Sequence, residues 1–235
     1  LFPYTTLFRS RRGMKRFAHS LLWMVIAIAS AHAQGDPLVE ALRKYQAGAL
    51  DEARTLVDEA IRTVEHESDA EAWLLRGFIY KDTYKAATER EQGDLLRDEA
   101  LASLFQCLSL DTAGTYKVNA TQAYEYLSRS FFNDAAKALN EMDDVRALLV
   151  FPKYKEAVHR LDQNADLRTR EVEFSNALGT LYTKRFNMDR TDTVFYQKAV
   201  EAYRNVLVMD PENYGANYNL ATLYYNRGVY NIKRI

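Results

Sequence analysis

Three stretches of this sequence put a small residue in the middle of an apolar run at helical spacing and follow it three positions later with tyrosine. They are Trp73…Gly77…Tyr80, Leu178-Gly179…Tyr182 and Leu220-Ala221…Tyr224. A missing or minimal side chain lets a second backbone approach closely, so each stretch predicts a helix packed tightly against a partner helix. Small residues also recur in the candidate partners, at Ala53, Ala100 and Ala199. Trp73, Tyr80, Tyr182 and Tyr203 are the rings that fill the space beside these contacts.

The pattern reads as consecutive helix hairpins. Ala41 to Ile61 is the first, broken at Gly48 and restarted at Asp51-Glu52, whose charge suits a helix N-terminus. The second runs from Ala70 with Asp98 to Asp111 as its partner helix. The third pairs Ala123 to Leu139 with Asp144 to Gln163. Pro152 lies inside that partner and predicts a division, with Val145 to Phe151 apart from a normally packed Tyr154 to Leu161. The fourth pairs Asn176 to Tyr182 with Tyr196 to Asn213, and Tyr214 to Tyr230 opens a fifth.

These segments resemble tetratricopeptide repeats, units of about 34 residues made of two antiparallel helices. The resemblance covers roughly Gln34 to the end and rests on Trp73, Gly77 and Tyr80, on Leu178-Gly179 and Tyr182, and on Leu220-Ala221 and Tyr224. On second helices it rests on Ala199, Tyr203 and Asp210-Pro211, and on Ala100, Cys107 and Asp111, with Thr112 where proline is usual. Gly228 and Tyr230 match the family's turn between helices. The resemblance implies an all-α fold, an α-solenoid of four to five hairpins with the last one incomplete. Two spacings exceed the family's, Gly77 to Ala100 and Gly179 to Ala199. The extra residues, Thr83 to Leu95 and Asn187 to Phe195, read as helix extension and as a polar loop respectively, on one edge of the solenoid.

The ends carry a different message. Leu1 to Ser10 matches, residue for residue, one reading frame of a common sequencing adapter, so residues 1–13 read as an artefact. Met14, Lys15 and Arg16, the apolar run Leu21 to Ala29 and Ala31-His32-Ala33 have the order of charge, apolar core and cleavage site of a secretory signal peptide, residues 14–33. That run is shorter than the ~20 residues of a membrane span. The mature chain, residues 34–235, is therefore expected outside the cytoplasm, periplasmic or extracellular, with a Gram-negative bacterium as host. The helical pattern still runs at Ile235, so a second expectation is that these repeats dock a larger envelope protein whose functional domain lies beyond. Were the solenoid to end there, the face around Leu220, Leu223 and Tyr224 would be its partner surface.

Composition narrows the function. A net charge of −1 with 27% charged residues gives no basic face for nucleic acid. The one cysteine, Cys107, reads as a small core residue. No HExxH, phosphate loop, GxSxG or paired CxxC is present, and the reading is of a protein that is not an enzyme, with no catalytic residue, metal, cofactor or small-molecule substrate. Glu65-His66-Glu67 with Asp69 reads as a solvated linker rather than a metal site, His159 as a surface residue, and Asp143-Asp144 and Asp189…Asp192 as helix caps.

What remains is binding. The resemblance implies that first helices line a concave groove, here Leu74, Phe78, Lys81, Arg129, Phe132, Asn133, Asn176, Thr180, Tyr218, Thr222, Tyr225 and Asn226. Rings with amides suit a peptide backbone, the rings for area and the amides for paired donors and acceptors. Phe131 and Tyr224, one position away, read as packing between repeats. The basic clamp with which the family grips chaperone tails is missing, since Phe78, Arg129, Thr180 and Thr222 stand where its asparagine repeats. The expected function is a protein-interaction scaffold in the cell envelope whose partner is an unknown protein or peptide.

Overall fold

A computed structural model describes residues 35–233. The adapter-like stretch and the candidate signal peptide lie outside the described residues. Within them the chain forms nine helices and no strand. They fall into two compact units, one through Ser128 and one from Arg129.

In the first unit, α1 (Pro37–Gln46) starts where Asp36 accepts from the Leu38 amide at 2.8 Å and Pro37 presets the helical φ. Gly48, at φ +78, makes the turn that L-residues resist, and α2 (Leu50–Ala60) returns. Asp69 caps α3 (Ala70–Ala86), which packs on α2 and on α4 (Arg90–Leu110). Ala41, Ala53, Val57 and Ile79 form one core cluster, with Leu38, Tyr45, Leu56 and Leu75 around it. The close approach inferred at Gly77 is present: a Cβ there would lie 2.6 Å from Leu104 Cδ2. Late α3 meets early α4, Tyr84 beside Gly93 and Arg97, so the hairpin is antiparallel. The residues from Thr83 to Leu95 lengthen both helices, as the sequence suggests. The first part of α5 (Lys117–Asn140) buries Ala120, Ala123, Tyr124 and Leu127.

The second unit holds the remainder of α5 with α6 (Asp144–Leu161), α7 (Arg168–Met188), α8 (Thr193–Met209) and α9 (Tyr214–Ile232). Aromatic packing joins the first of these: Phe132 lies 5.4 Å from Tyr154, and Phe151 stacks on Phe174 at 3.9 Å. Gly179 faces the Tyr203 ring, where a Cβ would stand 2.7 Å from Cε1. Tyr203, Val206 and Ala216 continue the core between α8 and α9.

Three expectations are corrected here. Helix α6 runs unbroken through Pro152. The proline faces solvent, while Val150, Phe151, Tyr154 and Ala157 are buried on both sides of it, so packing holds the two halves in line despite the lost hydrogen bond. Gly228 makes no turn, because α9 continues through it. The stretch Asn187 to Phe195 is mostly helical, with only Asp189 to Asp192 between α7 and α8.

Candidate interaction surface

Two polar clusters lie inside the helix pairs. Arg76, in the apolar run of α3, donates to Asp58 Oδ1 on α2 at 2.8 Å, to Glu99 Oε2 at 2.9 Å and to Ser103 Oγ at 2.6 Å, both on α4. Its guanidinium also lies 4.3 Å from the Tyr80 ring centroid, and the Tyr80 hydroxyl donates to the other Asp58 oxygen. A buried guanidinium needs such saturation. In the second unit the buried Asp144 carboxylate accepts from Arg185 Nη1 at 2.9 Å and from the Tyr182 hydroxyl at 3.1 Å, with Lys198 Nζ at 3.8 Å. Burial first, and then the neighbouring Asp144 charge, pushes the Tyr182 phenol up to about 12. Each cluster pairs its own charges across helices, so both read as interhelical ties. Sequence reasoning missed them. Its one available clue was an arginine set within WLLRGFIY, a position that demands partners.

The acidic pairs divide accordingly. Asp143 caps α6 by accepting from the Arg146 amide at 2.9 Å, and Asp192 caps α8 through the Val194 amide. Asp189 turns back on Thr191, which donates from both its amide and its hydroxyl. Asp144 is no cap. The linker reading of Glu65 to Asp69 fails at its centre: His66 is buried, with Nε2 3.0 Å from Asp36 Oδ1. No group of three or more histidine, cysteine, aspartate or glutamate residues among the described ones is arranged to hold a metal ion. His159 is half-buried, with Nε2 3.2 Å from the Ala165 carbonyl. Cys107 is fully buried, and burial, ahead of the nearby Asp111 and Asp69, raises its thiol to about 12.

The residues expected to line a groove fall into different environments. In the first unit, Leu74 and Phe78 are buried and leave a partner almost no surface. Lys81 lies over the Phe78 ring, Nζ 4.2 Å from its centroid, and burial lowers its pKa below the ordinary lysine value. In the second unit, Phe132 is half-buried against Tyr154 and beneath the Arg170 guanidinium. Phe131 is core. Arg129 and Asn133 are exposed. Asn176 donates to Asn213 Oδ1 at 3.3 Å, and Thr180 donates to the Asn176 carbonyl at 2.9 Å; both act as internal struts.

Helix α9 is different. Its inner face carries Ala216 and Leu223, both buried, and half-buried Leu220, packed toward α8 and α7. That corrects the expectation that Leu220 and Leu223 are exposed. Tyr224 is 41% exposed, its hydroxyl accepting from Arg204 at 3.2 Å. The opposite face holds Tyr214, Tyr218 and Tyr225, exposed by 81%, 59% and 71%, with Ile232 at 72%. Thr222 is exposed beside them and Asn226 half-buried at the edge. Tyr214 and Tyr218 stack at 6.1 Å. Alternating with the large residues on this face are Ala221 and Gly228, both exposed. Among the described residues nothing lies within 4 Å of where a Gly228 Cβ would be. Of the predicted site residues, only Tyr218, Thr222 and Tyr225 form an exposed aromatic surface together. The sequence did not single out Tyr214, although its four-residue spacing from Tyr218 was a readable cue.

No helix among the described residues is long and apolar enough to cross a membrane. No protein-family model matches the sequence, and no curated protein matches it either.

Proposed function

We propose that the chain is a protein-interaction scaffold of tetratricopeptide-repeat type, exported to the cell envelope, that binds a protein or peptide partner rather than catalysing a reaction. The observation that carries this reading is the outward face of α9, where Tyr214, Tyr218, Tyr225 and Ile232 hold large apolar groups in solvent beside Thr222. Rigid rings that offer much area at little conformational cost are enriched at the centres of protein interfaces. A contiguous exposed apolar stripe on a packed helix marks an interaction site. The polar clusters support the same reading, because their charges are spent on holding helices together. Export rests on the order of charge, apolar run and Ala31-His32-Ala33 near the start of the sequence.

The test is affinity capture from an envelope extract with the tagged mature chain, a Tyr218→Ser/Tyr225→Ser variant and a Val64→Ser control at an exposed position away from α9. The scaffold reading expects specific capture by the wild type and the control, and loss of it in the tyrosine variant. Identical profiles from all three baits, or no specific capture at all, overturn it.

A further inference from the structure

Lys81 and Lys85 share one face of α3, a spacing at which like charges repel. The structure brings both to a single atom. Lys81 Nζ lies 3.3 Å from Asp82 Oδ1, and Lys85 Nζ lies 3.2 Å from the same oxygen. The other Asp82 oxygen accepts from the Tyr45 hydroxyl of α1. One carboxylate therefore faces two ammonium groups. Among the described residues it is the only carboxylate paired with either of them.

The two lysines meet solvent differently. Lys85 is exposed, with Nζ 5.1 Å from the centroid of the Tyr126 ring of α5. The Lys81 side chain is only 12% exposed, and its Nζ rests 4.2 Å from the centroid of the buried Phe78 ring. An ammonium held there loses much of its hydration, which disfavours the charged form. Burial lowers the Lys81 pKa, Asp82 opposes that, and the Lys85 charge lowers it again. A lysine desolvated beside a second cation is the arrangement that turns an amine into a nucleophile. A site short of water also slows the hydrolysis of whatever the amine forms.

We propose that Lys81 is a covalent capture site for small aldehydes. The neutral Nζ adds to the carbonyl carbon and a C–N bond forms. The two amine protons leave with the carbonyl oxygen as water, and an imine remains, with no oxidant or reductant consumed. The slight exposure of Lys81 limits the aldehyde to a small one. This chemistry goes beyond the scaffold reading and does not depend on α9.

Propanal with sodium cyanoborohydride at neutral pH tests it on the purified mature chain. The reductant fixes each imine as a propylamine, and peptide mass mapping over a time course gives a rate for every lysine. Lys81 is modified several-fold faster than the exposed Lys117 and Lys184. Lys85→Met and Lys85→Gln remove the second cation at an exposed position and stay folded by circular dichroism. Both slow Lys81 several-fold and leave Lys117 and Lys184 unchanged. A Lys81 that reacts no faster than Lys117 and Lys184 overturns the inference. So does a Lys81 rate that both Lys85 variants leave as it was, since slight exposure and the ring alone would then set it.

Discussion

Tyr182 donates its hydroxyl to the Asp144 carboxylate at 3.1 Å, while Asp143, one residue earlier, faces the helix end and accepts from the Arg146 amide. Two adjacent aspartates therefore do unlike work. Removing Asp144 leaves Arg185 and Tyr182 without their shared acceptor in a buried site. Asp144→Ala is expected to cost about 3 kcal/mol, and Asp143→Ala about 1 kcal/mol, the usual worth of a cap. Urea denaturation of both variants checks the contrast; equal losses would mean that Asp144 is not a tie.

Arg76 joins α2 and α4 through α3, and breaking its pairing strands a buried charge. Asp58→Ala is expected to destabilise the protein by about 2–4 kcal/mol, less than full loss of the guanidinium's partners because Glu99 and Ser103 remain. Arg76→Met, which removes the charge and keeps the bulk, should cost less than Asp58→Ala. Chemical denaturation gives the order.

The glycines of the hairpins and the glycine of α9 should respond oppositely. Gly179→Ala drives a methyl into the Tyr203 ring and is expected to cost about 1–3 kcal/mol. Gly228→Ala meets nothing among the described residues and should raise stability by up to about 1 kcal/mol. Thermal unfolding at low protein concentration separates them.

Pro152 interrupts the bonding of α6 where its ring faces solvent. Pro152→Ala restores an amide donor without touching the core and is expected to stabilise the protein by about 1–3 kcal/mol. A neutral or destabilising result, read by thermal unfolding, would show that the proline's backbone geometry is needed by the packing around Phe151.

Alkaline pH should loosen the fold. Burial raises the Cys107 thiol from an ordinary value near 9.0 to about 12, and the Tyr80 and Tyr182 phenols from 10.0 to about 12. Each folded-state pKa lies above its unfolded value, so the unfolded chain releases protons first. The stability these groups provide is complete below pH 9 and declines as pH rises through 9 to 12. Denaturant midpoints measured across that window should fall, and Cys107→Ala should remove the earliest part of the decline.

Much of the helical order was legible because local chemistry and packing agree. Gly48 marks a turn that only a positive φ can make, Gly77 and Gly179 mark close approaches, and Cys107 marks a small core position. The failures came where distant packing overrode a local rule. Pro152 reads as a break, but α6 continues through it, with Phe151 and Tyr154 buried on either side. Gly228 matches a turn, but α9 continues past it. His66 reads as a solvated linker residue because its partner, Asp36, is distant in sequence. The candidate groove was the least legible part. Periodicity says which residues share a helix face, but not whether a neighbour covers that face, and so it could not separate buried Phe78 from exposed Tyr225.

Cys107 is the single cysteine among the 235 residues, and the folded state shields the thiol completely. An oxidising compartment can reach it only after the hairpin of α3 and α4 opens. A disulfide that joins two copies through Cys107 would then link two chains that had each lost that hairpin. Such covalent pairs would accumulate as a count of past openings and persist after the remaining molecules had refolded, a molecular memory of stress that a non-reducing gel would reveal.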